Sequence, residues 1–300
     1  MNTGITIAGV QFKNPVMTAS GTFGSGMEYG SFVDLNRLGA VVTKGVASVP
    51  WEGNPVPRVA ETASGMLNAI GLQNPGIDVF LERDLPFLKQ FDTKVIVNVV
   101  GKTIEEYVAV TERLNETDAD MLEINVSCPN VKEGAIAFGQ NRDALHEITK
   151  RVKRASEKPV IMKLSPNVTD ITEMAKAAED AGADAISLIN TLTGMKIDVH
   201  TKKIVLANKT GGLSGPAIKP VAVRMVWQCA QAVRIPVIGM GGIMTGEDAA
   251  EFLLAGATAV AVGMANFHDP GATIRIIDEL EAYMEQHDIA DVNELRGAAV

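Results

Sequence analysis

The sequence predicts an α/β fold, specifically a (β/α)8 TIM barrel with insertions after strands 2 and 6. Three observations carry that prediction. Eight short apolar runs recur along the 300 residues, amphipathic stretches separate them, and Gly-Ala pairs close several of those stretches. Most of the runs are continuous Val/Ile/Met/Ala rather than alternating, as parallel strands buried on both faces require. Eight such units in one chain favour a closed barrel over an open sheet.

The strands are expected at 15–19, 40–46, 94–100, 120–126, 159–165, 184–190, 235–240 and 258–263. The amphipathic segments 103–117, 141–157, 170–181, 218–233 and 246–255 carry apolar residues at helical spacing. Gly39-Ala40, Gly182-Ala183 and Gly256-Ala257 read as helix C-caps leading into the next strand. The stretches 47–93 and 191–217 are long for βα loops and read as a lid or substrate wall. With no Pro/Ser-rich linker or low-complexity tract, residues 1–300 read as one domain.

Composition narrows the function classes. Hydrophobic residues make up 46% and charged residues 21% of the chain, and the net charge is -9. Nucleic acid and anionic membranes both call for a clustered basic footprint, so neither is an expected partner. Cys128 and Cys229 are the two cysteines, too few for a disulfide framework or a four-thiolate cluster. A reducing cytoplasm is the expected setting. The N-terminal residues lack signal-peptide features, and no apolar run approaches the roughly 20 residues that span a bilayer.

Polar residues fall where the strands end. Ser20, Lys44, Asn98, Asn125, Lys163 and Asn190-Thr191 close the first six, and the last two run into Gly239-Met240-Gly241-Gly242 and Gly263-Met264. In a barrel all these positions converge at the C-terminal mouth, where active sites are built. One Asn or Lys at a strand end is ordinarily a turn residue; six in register point to a site. Glycines ending strands seven and eight suit a phosphate group bound by backbone N–H groups. No G-x-G-x-x-G or P-loop follows a strand, so a mononucleotide with a single phosphate fits better than a dinucleotide or triphosphate.

Cys128 sits just past the fourth strand, before Pro129, which places its thiol over the mouth. A thiol of pKa about 8.5 is mostly protonated at neutral pH, so its strength as a base grows with pH. Cys229, among apolar neighbours on a helix, reads as a buried small hydrophobe. His146, His200, His268 and His287 lie away from the strand ends, leaving Cys128 without a histidine to activate it as a nucleophile. No metal site is indicated.

The stretch Asn125-Val126-Ser127-Cys128-Pro129-Asn130-Val131-Lys132-Glu133-Gly134-Ala135-Ile136-Ala137-Phe138-Gly139 resembles the dihydroorotate dehydrogenase family, in particular its class 1B catalytic subunits. Asn68-Ala69-Ile70-Gly71-Leu72-Gln73-Asn74-Pro75-Gly76, Thr43-Lys44-Gly45 and Gly239-Met240-Gly241-Gly242-Ile243 carry the same resemblance, which covers essentially the whole chain. Family members usually have Gly-Gly-Ile where this chain has Gly134-Ala135-Ile136, a change expected to stiffen the loop while leaving Cys128 in place.

The resemblance implies FMN as cofactor, one per chain. Ser20, Lys44, Gly45, Asn98, Asn125, Lys163, Ile189 and Gly215 would line the isoalloxazine and ribityl portion. Gly241, Gly242, Gly263 and Met264 would hold the phosphate. Dihydroorotate would lie against Lys44, Asn68, Ala69, Ile70, Gly71, Leu72, Asn125, Asn190 and Thr191. Cys128 would take the C5 proton as the C6 hydride leaves for the flavin, Lys163 would stabilise charge at the flavin N1–C2 edge, and the loop 129–139 would close over the substrate.

The same resemblance implies a partner subunit carrying FAD and a [2Fe–2S] cluster, passing electrons to NAD+ in a heterotetramer with two copies of each subunit. Two alternatives stand beside it: a standalone 1A-type enzyme reducing fumarate, and a barrel lyase using Lys44 or Lys163 as a Schiff base. A membrane-bound, quinone-using class 2 enzyme is disfavoured.

Overall fold

Eight parallel strands close into a barrel in the computed structural model, which describes residues 1–126 and 138–299. The barrel strands are β1 Val16–Thr18, β2 Ala40–Val42, β3 Lys94–Val99, β4 Met121–Asn125, β5 Val160–Lys163, β6 Ala185–Leu188, β7 Val237–Met240 and β8 Ala259–Val262. They follow chain order around the ring, and closure runs through the β8–β1 pairing Val260–Val16. All eight expected strands are present, each trimmed to its hydrogen-bonded centre. Every residue of β1, β2, β5, β6, β7 and β8 is buried, which is why these segments read as unbroken apolar runs.

The outer helices begin where a side chain can satisfy their free N–H groups. Helix α1 (Ile104–Asn115) is capped by Thr103, α2 (Arg142–Ala155) by Asn141 and α3 (Ile171–Asp180) by Asp170. Helix α4 spans Lys219–Ala232, and α5 (Gly246–Leu254) starts with a reciprocal capping box between Thr245 and Asp248. Gly182 and Gly256 end α3 and α5 at positive φ, as expected of C-cap glycines. Gly39 has a different role. It follows a short 3-10 turn, and a Cβ there would run into the backbone oxygens of Asn14 and Val16. Close backbone approach, rather than a left-handed cap, requires glycine at that point.

The two long insertions fold together. Strands Leu192–Gly194, Gly211–Ser214, Gly65–Asn68 and Val59–Thr62 form, in that order, one antiparallel sheet. Ala60, Leu67, Ala69 and Leu206 make a small apolar cluster of their own beside the main core. The two stretches, each expected as a lid or substrate wall, are therefore parts of one structure. A short antiparallel pair, Ile5–Ile7 with Val10–Phe12, precedes the barrel and was not anticipated from the sequence. Among the described residues, no helix is long and apolar enough to cross a membrane.

Candidate functional site

A cavity of about 290 Å³ opens at the C-terminal ends of the strands, lined by residues at the end of, or just after, each of the eight. Its floor is set by strand alternation. Asn125 is the last residue of β4, and Glu123, two positions earlier, shares its face. Asn98 near the end of β3 and Lys163 at the end of β5 stand beside them, and all four are at most 5% exposed.

These side chains form a hydrogen-bonded network. Asn98 Nδ2 donates to Glu123 Oε1 at 2.6 Å, and Ser187 Oγ donates to Glu123 Oε2 at 2.8 Å. Lys163 Nζ lies 3.6 Å from Glu123 Oε1 and donates to Ser20 Oγ at 3.1 Å. Tyr107 Oη, from α1, donates to the Asn125 carbonyl at 2.8 Å and fixes the end of β4. Because a carboxylate only accepts, Asn98 must turn its NH2 toward Glu123. Its Oδ1 is left buried with no hydrogen-bond partner among the described residues. A buried acceptor of this kind calls for a donor from a ligand.

Lys44 and Gly45 follow β2 and form one wall. Burial, and then the like charges of Arg58 and Lys163, hold the Lys44 ammonium below its ordinary value. A cation placed at such a cost suits an anionic ligand. Arg58 is itself held by Gln73 Oε1 at 2.6 Å and the Asn54 carbonyl at 3.3 Å, which pins the segment containing Asn68, Ala69, Ile70, Gly71 and Leu72. Asn68 to Leu72 line the cavity, as do Asn190 and Thr191 after β6.

Asn167, in the loop after β5, also lines the cavity and was missed in the sequence. It donates to the Thr191 carbonyl at 3.1 Å and accepts from the Thr193 N–H at 3.0 Å, bracketing the Asn190–Thr191 segment. The available signal was the Ser165-Pro166-Asn167 sequence directly after a strand. Glu123 was missed for a different reason: it sits inside an apolar run whose character marks a core strand.

At the far end of the cavity are Ile189, Gly215, Gly241, Gly242, Gly263 and Met264. Gly242 has φ +81°, and a Cβ there would lie 2.8 Å from the Gly215 carbonyl and from Lys219 Cβ. That turn stays open only because it carries no side chain, leaving backbone N–H groups for an anion. Every described residue expected at the site lines this one cavity, and none of the four histidines does. Cys128 and Ala135 lie outside the described residues. On either side of them, the Gly139 N–H donates to the Val126 carbonyl at 3.1 Å, beside Asn125. Cys229 is buried in α4, and desolvation, then Asp170, pushes its thiol up to about 12, as an inert thiol requires.

A cationic, amide-rich floor and a glycine turn at the β7 and β8 ends define a barrel enzyme that binds an anionic cofactor and an anionic, hydrogen-bonding substrate at its mouth. A family model described as "Dihydroorotate dehydrogenase" matches residues 3–284, and this chain belongs to that family. It is 68% identical to the "Dihydroorotate dehydrogenase B (NAD(+)), catalytic subunit" of Lachnoclostridium phytofermentans, over 99% of each chain. The protein of the same name from Alkaliphilus metalliredigens is 62% identical over 99% of each chain. A crystal structure of DHODH from Eimeria tenella in complex with ferulenol superposes with a TM-score of 0.83. That match covers 99% of this chain and 88% of the other at 24% identity, a likeness of fold.

FMN is the cofactor in this family generally, and the donor set fits it. The orphaned Asn98 acceptor, the Lys163 cation and the open glycine turn suit respectively a donor group, a ring edge that gains negative charge, and a phosphate.

Proposed function

We propose that this chain oxidises dihydroorotate to orotate, as the catalytic subunit of an NAD+-linked enzyme of pyrimidine biosynthesis. The observation that carries the reading is the cavity itself. Lys44, Asn98, Asn125 and Lys163 share its lining with the amide segment from Asn68 and the glycine turn at Gly241-Gly242. Near-complete coverage at 68% identity by a catalytic subunit of that name supports the same assignment.

Lys44 holds the substrate carboxylate, while Asn68, Asn125 and Asn190 present donors and acceptors to the imide edge of the ring. The backbone from Ala69 to Leu72 and the Thr191 hydroxyl complete the ring's contacts. Cys128 accepts the proton from C5 of dihydroorotate. Ser20, Gly45, Asn98, Ile189 and Gly215 bind the ring and ribityl regions of the cofactor, and Gly241, Gly242, Gly263 and Met264 hold its phosphate. FMN, one per chain, supplies the two-electron acceptor for the hydride leaving C6. Lys163 provides positive charge where negative charge develops. The expected role of the loop 129–139 in excluding water falls mostly on residues outside those described.

Electrons then leave through a partner subunit carrying FAD and a [2Fe–2S] cluster, in a cytoplasmic heterotetramer of two copies of each. The two cysteines of this sequence are too few to ligate such a cluster. The absorbance spectrum of the co-purified complex tests this division. Flavin and cluster bands together, with NAD+ reduced on addition of dihydroorotate, are expected. A cluster-free protein that reduces fumarate and ignores NAD+ would instead support the standalone 1A reading, and a colourless protein the Schiff-base lyase.

A further inference from the structure

Glu123 is the one charged side chain in β4, is 2% exposed and has no part in the chemistry above. Its two oxygens divide the work. Oε2 accepts from Ser187 on β6, which anchors the carboxylate to the barrel interior. Oε1 stands between the two floor residues that meet the cofactor, accepting from Asn98 Nδ2 at 2.6 Å and lying 3.6 Å from Lys163 Nζ. A structural barrel filler at this position would be served by Val, Ile or Leu, the residues that fill the neighbouring strands, without the cost of burying a charge.

We propose that Glu123 is a positioning residue for the cofactor floor. It dictates the Asn98 amide orientation, and its charge offsets that of Lys163, so it sets how strongly the mouth favours a negatively charged ligand. Two consequences follow from the geometry. A carboxylate cannot donate, so the Asn98 Oδ1 is held away from Glu123 and without a partner among the described residues, and a ligand group that meets it must be an N–H or O–H. In addition, the field of Lys163 in the cavity is partly cancelled by an opposite charge 3.6 Å away. Neutralising Glu123 makes the cavity floor more positive toward whatever binds above it.

The inference rests on the reading that FMN binds here, and the test separates the two. Glu123→Gln keeps the side-chain volume and removes the charge. The midpoint potential of bound FMN, measured by spectroelectrochemistry on the purified complex, is expected to rise, because a negative charge opposing the reduced anionic cofactor has been removed. Coulomb fields add, so a charge effect alone would be the same in a Lys163→Gln background; a smaller shift is expected there because Glu123 Oε1 also holds the Lys163 ammonium in place. FMN affinity of the flavin-free protein, measured by fluorescence quenching, is a second readout independent of turnover.

Should Glu123→Gln fail to fold, Glu123→Asp withdraws the carboxylate by one methylene and is expected to move the potential in the same direction. A flavin-loaded complex whose potential is unchanged by either variant overturns the role of Glu123 alone. A shift of equal size with and without Lys163 leaves Glu123 a through-space charge only and overturns its positioning role. A wild-type complex that binds no FMN overturns both readings.

Discussion

Gly263 follows β8 in the glycine-rich end of the cavity, and its replacement by alanine separates ligand binding from folding. Its backbone does not occupy the left-handed region, and an added Cβ would meet only Ala19 Cβ, at an ordinary 3.6 Å. The remaining space around that Cβ is open, and Gly263 lines the cavity. Gly→Ala at a compatible backbone position stabilises a fold by about 0.4–1 kcal/mol through the unfolded chain. On the ligand side, the methyl group holds a phosphate away from the backbone. Loss of one charge-assisted hydrogen bond costs about 1.5–3 kcal/mol, a rise in Kd of roughly 10- to 150-fold. Flavin-free protein titrated with FMN and with riboflavin, followed by quenching of flavin fluorescence, reads the difference. Gly263→Ala should weaken FMN by that factor, leave riboflavin unchanged and keep or slightly raise the Tm. Equal losses for both flavins, or an unaltered FMN Kd, would refute a phosphate at the β8 end. Gly242→Ala is the less informative variant, because positive φ and a 2.8 Å contact with the Gly215 carbonyl strain the chain before any ligand arrives.

Cys128→Ala should retain FMN and lose roughly 10²- to 10⁴-fold in turnover, the usual contribution of a positioned base; an undiminished rate would remove Cys128 from that role. Cys128→Ser should keep some activity with its pH optimum moved upward, since an alcohol is a weaker acid than a thiol, which a pH–rate profile checks. Lys44 is held below the ordinary lysine value of 10.5, so between its lowered value and 10.5 the unfolded chain binds more protons than the folded one. Stability of the ligand-free protein therefore rises with pH across that window. Lys44→Met should abolish this slope, raise the Tm near neutrality and weaken orotate binding; thermal unfolding at several pH values with an unchanged slope would contradict the assignment. Asn167→Ala removes two hydrogen bonds from the Thr191–Thr193 segment. At about 1 kcal/mol each, the KM for dihydroorotate should rise by roughly 5- to 50-fold with kcat much less affected, as steady-state kinetics would show.

The barrel was legible because burial on both faces leaves a strand almost nothing but Val, Ile, Met and Ala, and because the site residues interrupt that pattern at a fixed place, the strand end. The same logic hid Glu123. One carboxylate inside Met121–Asn125 looks like noise in a core strand until its three partners, on β3, β5 and β6, are seen around it. The shared sheet of the two insertions was also invisible, because Gly212 pairs with Asn68 across most of the barrel's length in sequence. Nothing local marks partners that distant. The N-terminal pair Ile5–Ile7 and Val10–Phe12 has three-residue strands, too short for periodicity, with only the Ala8-Gly9 turn at positive φ as a signal. Gly39 shows the converse limit: the residue type was informative, but turn capping and close backbone approach leave the same letter in the sequence.

The proposed function requires dihydroorotate to deliver its electrons to a flavin held in this cavity. Anaerobic mixing of the FMN-loaded chain with dihydroorotate, without NAD+, measures that half-reaction. Bleaching of the flavin band with one orotate formed per FMN is the predicted result. A flavin band that persists while dihydroorotate remains unconsumed would contradict it.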